Sequence, residues 1–168
     1  VLYRELPEIK NTLYLIGGGH VCEATAKVAV VAGFDIVVVD DREEFATNVR
    51  FPGAKCVVCQ EYDEIPTDTV SEHDYILVAT RGHKADRIGL RWALNTKACY
   101  VGMIGSRIKR DLVYEELMTE GITRQQLDQV YCPVGLPIGG RTPGDIAISI
   151  MGEIIDVRAK RTGVGNVF

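Results

Sequence analysis

No apolar stretch in this chain is long enough to cross a bilayer. The longest, such as Val28 to Ala32, are a few residues where about 20 are needed. The opening Val1-Leu2-Tyr3-Arg4-Glu5 lacks the basic-then-apolar order of a secretory leader. Together these absences predict a cytoplasmic protein with no membrane partner. Surplus positive charge is missing too. Nineteen basic against 23 acidic residues leave a net charge of −4, which argues against a nucleic-acid binder held by phosphate neutralisation. The five cysteines are odd in number and irregularly spaced, in a chain of 168 residues that can bury a core without staples, so they read as reduced thiols. Cys56-Val57-Val58-Cys59 imitates a metal-binding pair, but in a strand-like run positions three apart face opposite sides. Packing is the expected role of both thiols, and no metal is expected. No Ser/His/Asp order, clear acid/base carboxylate pair, repeat or low-complexity segment is present. Val1 stands where a complete chain would begin with methionine, which reads as a piece of something longer.

What is there is a repeating alternation. Leu13-Tyr14-Leu15-Ile16 reads as a buried strand that stops at Gly17-Gly18-Gly19. Val21, Ala24, Thr25, Val28, Ala29 and Ala32 then recur at helical spacing up to Gly33, a natural helix stop. Asp35 to Asp40, Lys55 to Cys59, Tyr75 to Thr80 and Ala98 to Ile104 read as four further strands. Helices are expected over Ala85 to Leu94 and over Arg107 to Thr119, the second with Ile108, Leu112 and Val113 on one apolar face. Thr123 and Gln126 form a capping-box pattern for a short helix. Thr142, Pro143 and Asp145 fit an N-cap, a first-position proline and a third-position acid, opening a last helix to about Arg158. That helix carries Ile146, Ile150 and Ile154 inward, and the end from Arg161 to Phe168 reads as frayed. The alternation predicts one α/β domain over residues 1–168: three layers, doubly wound, mainly parallel and Rossmann-like.

Two glycine turns could carry the chemistry. Gly17 and Gly19 match the first two glycines of GxGxxG, but Cys22 holds the third position, where a small residue still permits close helix packing. His20 and Val21 follow directly. Asp40 lies 23 positions after Gly17, where a carboxylate can accept from a ribose 2′-OH, while neighbouring Arg42 could tolerate a 2′-phosphate. Gly105-Ser106-Arg107-Ile108-Lys109-Arg110 puts three cations in the first turns of a helix, against its positive end. They face either solvent or an anion. The same reasoning reaches Thr80 and His83 after the fourth strand and Arg141-Thr142 before the last helix. A sulfur-handling role for Cys22 competes with helix packing, which its position favours. NAD(P) is a candidate cofactor on this pattern, and an oxidoreductase, a dinucleotide sensor and an S-adenosylmethionine-dependent methyltransferase all stay open.

Larger motifs narrow this. Gly17-Gly18-Gly19-His20-Val21, Val39-Asp40-Asp41-Arg42, Arg50-Phe51-Pro52, Tyr100 to Lys109 and Pro133 to Pro143 together resemble the C-terminal Rossmann-like domain of the XdhC/CoxI family, accessory proteins of xanthine dehydrogenase and related molybdenum hydroxylases. The resemblance runs from about Leu13 to Arg158. It implies a maturation factor rather than a catalyst, one that binds the molybdenum cofactor (molybdopterin), helps its sulfuration and passes it to an apo-hydroxylase. A cysteine desulfurase and a second copy of the chain are the other implied partners. It further implies ligand-binding roles for Gly17, Gly19, His20, Asp40, Gly105, Ser106, Arg107, Gly139, Arg141 and Thr142. Members of the family usually carry an additional N-terminal domain, to which no part of this sequence corresponds.

Overall fold

The computed structural model describes residues 11–163. The reading of Val1 to Glu5 and the end Val164 to Phe168 lie outside the described residues. Strand β1 (Asn11–Ile16) enters the Gly17 turn and helix α1 (His20–Val31), then β2 (Phe34–Asp40). A short 3-10 turn (Glu43–Phe45) precedes β3 (Lys55–Val58), and a second (Thr67–Thr69) precedes β4 (Tyr75–Val78). Helix α2 (His83–Leu94), β5 (Tyr100–Met103), α3 (Arg107–Thr119), the short α4 (Arg124–Leu127) and α5 (Pro143–Thr162) complete the order. None of these helices is long and apolar enough to span a membrane.

All pairings are parallel, in the order β3-β2-β1-β4-β5. The chain winds outward from β1 to β3, then crosses back to start again on the other side at β4. The crossing creates a crevice between the carboxyl ends of β1 and β4, where open α/β sheets hold ligands.

Side-chain alternation on β1 assigns the two faces. Leu13 and Leu15 join Ala26 and Ala29 of α1 and Ile150, Met151 and Ile154 of α5. Tyr14 and Ile16 join Leu90 and Trp92 of α2, Val113 and Leu117 of α3 and Leu127 of α4. Small residues dominate the inner face of α1, so it can lie close to the sheet. On α5, Arg158 Nη1 donates to Ala32 O at 3.0 Å, beside the end of α1. The two helices therefore run side by side in the same direction and begin at the same end of the sheet.

The edge beyond β5 is not bare. Tyr131 N donates to Val101 O at 2.9 Å, Met103 N donates to Tyr131 O at 3.0 Å, and Val134 N to Met103 O at 3.3 Å. A strip running from Tyr131 to Val134 thus covers the strand.

Two expectations need correction. Ile108 and Leu112 do not face the core of α3: they are 76% and 49% exposed, and Val113, Tyr114 and Leu117 form the buried stripe. Apolar identity alone misassigned the phase, because the inner face of α3 also carries the aromatic Tyr114. Helix α5 continues to Thr162, beyond Arg158, because Lys160 pairs with Asp156 (2.6 Å) and Gly163 supplies the left-handed stop. Both capping boxes form as the sequence indicates, Thr123 with Gln126 and Thr142 with Asp145.

Candidate functional site at the strand ends

The glycines of the first turn differ in what they do. Gly17 has φ of +112°, and a Cβ there would meet Ala79 O at 2.3 Å, so close contact with the β4 exit needs glycine. At Gly18 a Cβ would strike Phe45 O at 2.5 Å. Around Gly19 a Cβ would have open space, and this residue caps α1 with no side chain to satisfy the first N–H groups of the helix. His20 is exposed at the first helical position, and half-buried Val21 packs toward the α1 layer. The one acid in the first turn, Glu23, accepts from Arg50 (3.1 Å) and Lys27 (3.2 Å).

Asp40 is fully buried. Its Oδ2 accepts from Gly18 N at 2.6 Å and Arg42 Nη2 at 3.0 Å, and its Oδ1 from Arg42 N at 2.9 Å and Arg42 Nε at 2.8 Å. Burial pushes its carboxyl up, but the Arg42 guanidinium and the N–H groups of Gly18 and Arg42 outweigh that and hold it below the usual carboxylate range. The carboxylate therefore shapes the glycine turn from beneath. Arg42 in turn lies 3.4 Å over the Phe45 ring, with Arg50 at 4.4 Å on the same ring.

On the far side of the crevice, Thr80 N and Oγ1 both donate to Asp86 Oδ1, at 3.0 and 2.7 Å. His83 opens α2 with Nε2 3.3 Å from Glu116 Oε1, a contact between α2 and α3. Gly105 leads into Ser106, whose Oγ accepts from Lys109 N and caps α3. Helix α3 has no acid in its first turn. Of its three cations, Lys109 pairs with Asp86 and Arg110 with Asp111, so protein carboxylates neutralise two. Exposed Arg107 has no hydrogen-bond or ion-pair partner among the described residues.

The third segment is self-contained. Asp145 Oδ2 accepts from Arg141 N and Thr142 N, each at 3.1 Å, and the Thr142 hydroxyl accepts from Asp145 N. The start of α5 thus meets its own carboxylate, with Gly139 and the Arg141 side chain exposed beside it. The start of α1 lies at the same end of the sheet.

Burial pushes the Cys22 thiol up to about 12, with further upward pressure from Asp40, which keeps it a protonated packing group. Sequence reasoning missed Asp86. Its signal was helical phase: with Gly89, Leu90 and Ala93 it falls on the inward stripe of α2, and an acid on such a stripe needs a partner. A cavity of about 550 Å³ opens at the other end of β5, between residues such as Thr96, Ala98, Gln126 and Tyr131, and none of the candidate ligand-binding residues lines it.

The all-parallel sheet with a strand-end crevice at its switch point defines a Rossmann-like domain. The model of the XdhC Rossmann domain matches residues 13–154, and the chain belongs to that family. It is 32% identical over 164 residues to a probable xanthine dehydrogenase subunit of Bacillus subtilis, covering 94% of this chain and 46% of that protein. It is 25% identical over 146 residues to the molybdenum cofactor insertion chaperone PaoD of Escherichia coli, covering 87% of this chain and 40% of that one. A crystal structure of a xanthine dehydrogenase from Bacillus halodurans superposes with a TM-score of 0.75 at 26% identity, over 90% of this chain and 44% of that one. The chain spans less than half the length of the curated relatives it matches.

Proposed function

We propose that this chain is the cofactor-holding domain of an accessory protein that binds the molybdenum cofactor and passes it to an apo-hydroxylase of the xanthine dehydrogenase type. The observation that carries the reading is the start of α3: a helix opening at a strand end with no acid in its first turn, and an Arg107 that no carboxylate among the described residues satisfies. The unencumbered space at Gly19 fits the same role, since a ligand's phosphate could approach the α1 N–H groups without meeting a side chain. Family membership and the likeness to a named insertion chaperone support the molybdenum cofactor as that group.

Gly19, His20, Ser106 and Arg107 would hold the phosphate-bearing end, with Gly17, Asp40 and Arg42 shaping the turn beneath. When bound, the group supplies redox chemistry to the client, and this chain's residues hold and orient it. The sealed Asp40 carboxylate favours this reading over a nicotinamide enzyme, because an acid that reads a ribose 2′-OH needs a free oxygen at the pocket surface.

Calorimetric titrations with molybdenum cofactor, NAD, NADP and S-adenosylmethionine, each alone, test the proposal. Tight molybdenum-cofactor binding without turnover is expected, and NADH oxidation with any acceptor would sink it. Arg107→Ala should weaken that binding by about 1.5–3 kcal/mol, the worth of one charge-assisted hydrogen bond. An unchanged affinity would make Arg107 plain surface.

A further inference from the structure

An ion pair between buried Asp86 and half-buried Lys109 joins the two glycine turns. Asp86, fully buried on α2, spends Oδ1 on the backbone and hydroxyl of Thr80, and its Oδ2 meets Lys109 Nζ and accepts no other donor. Lys109 arrives from α3 with its stem under the second turn: a Cβ on Gly105 would lie 3.0 Å from Lys109 Cδ. Its ammonium also reaches Ile104 O at 3.4 Å. On the other flank, Thr80 Cα would lie 3.2 Å from a Cβ on Gly17. A continuous row therefore runs from the first glycine turn through Thr80, Asp86 and Lys109 to the second.

Stability alone is a poor account of this row, since a buried ion pair is often no more stable than the apolar groups that could replace it. The ammonium sits in ion-pair contact with Asp86 and donates to Ile104 O, so its three donors are not all spent inside the protein. The Lys109 side chain is 30% exposed, so the pair is not sealed and a ligand at the ends of β4 and β5 could approach it. Such a fixed point charge suits a phosphate oxygen.

We propose that Lys109 is a phosphate-binding residue of the strand-end crevice and that Asp86 is the positioning residue that holds its ammonium there. The inference rests on the reading of the crevice as a cofactor site and adds a cation to it. The ligand class is a phosphate monoester or pyrophosphate, borne by a pterin cofactor or by a dinucleotide.

Titrations of the full chain with molybdenum cofactor, NAD and inorganic pyrophosphate separate these sources. Lys109→Met should weaken the ligand that binds by about tenfold or more, the scale of one lost charged hydrogen bond. Because this variant strands a buried carboxylate, the double variant Asp86→Asn/Lys109→Met is measured beside it: the neutral pair should recover the thermal midpoint and leave binding weak. Asp86→Asn alone should weaken binding, yet add no further loss in the Lys109→Met background, since Asp86 acts through Lys109. If the double variant regains full affinity, the pair is structural and the inference falls. If the unaltered chain binds none of the three probes, the cofactor reading itself falls, an outcome distinct from normal binding that survives Lys109→Met.

Discussion

Asp40 shows how one carboxylate can set the shape of a turn. Four donors from Gly18 and Arg42 converge on it with no solvent contact, so Asp40→Asn would keep the size and lose the charge that the Arg42 guanidinium requires. Removing one partner of such a pair costs about 3–5 kcal/mol. The pH dependence has a definite sign. The carboxyl is held below its ordinary value of 3.8, so the folded state binds its proton less readily than the unfolded chain. Its stabilisation is complete above that value and is lost as pH falls through it toward the lower folded pKa. Acid titration of thermal midpoints should show the unaltered chain losing its advantage over Asp40→Asn below about pH 4, and parallel curves would refute the assignment. The sequence marked Asp40 by its place at a strand end. Its partner was out of reach, because a backbone N–H bond to Gly18 depends on how the first turn folds over the second strand. Arg107 stood out for the opposite reason: a cation at a helix start declares itself in the sequence, and the side chain is exposed with no partner among the described residues.

At the scale of elements, α2 and α3 are laced together by charge. Glu120 joins Arg87 and Arg91 (2.8 Å to the latter), Arg91 also meets Asp63 at 2.6 Å, and Glu116 lies 3.3 Å from both His83 and Arg87. These groups are partly solvated, so each contact is worth little alone, but Glu120 serves two arginines. Glu120→Gln should cost about 0.5–1.5 kcal/mol in urea unfolding at low salt and shrink at high salt. A loss that persists in high salt would instead point to packing. Two helix starts were the most readable elements, because Thr123 and Thr142 declare themselves by local chemistry. The inner face of α3 was not, since Ile108 and Leu112 compete with Val113, Tyr114 and Leu117 for one apolar stripe, and only the neighbouring α2 and α4 decide between them.

In the whole molecule, each central strand serves both helical layers, with Leu13 and Leu15 on one side and Tyr14 and Ile16 on the other. Neither layer has a sheet of its own to retain when the other leaves. Unfolding in urea should therefore give one transition, with the fluorescence of Trp92, buried in the α2 layer, coinciding with the loss of helical circular dichroism from both layers. Separated curves would show the α1–α5 layer opening on its own. Strand order was readable as a parallel class from the alternation of elements, while the place of the crossing, which creates the crevice, depends on pairings between distant segments. The strip from Tyr131 to Val134 adds a different kind of consequence. A row of open backbone groups invites another chain to extend the sheet, and here the protein's own loop has taken that seat. Growth of the sheet past β5 would require this loop to be peeled away first, so the domain limits its own size at that edge.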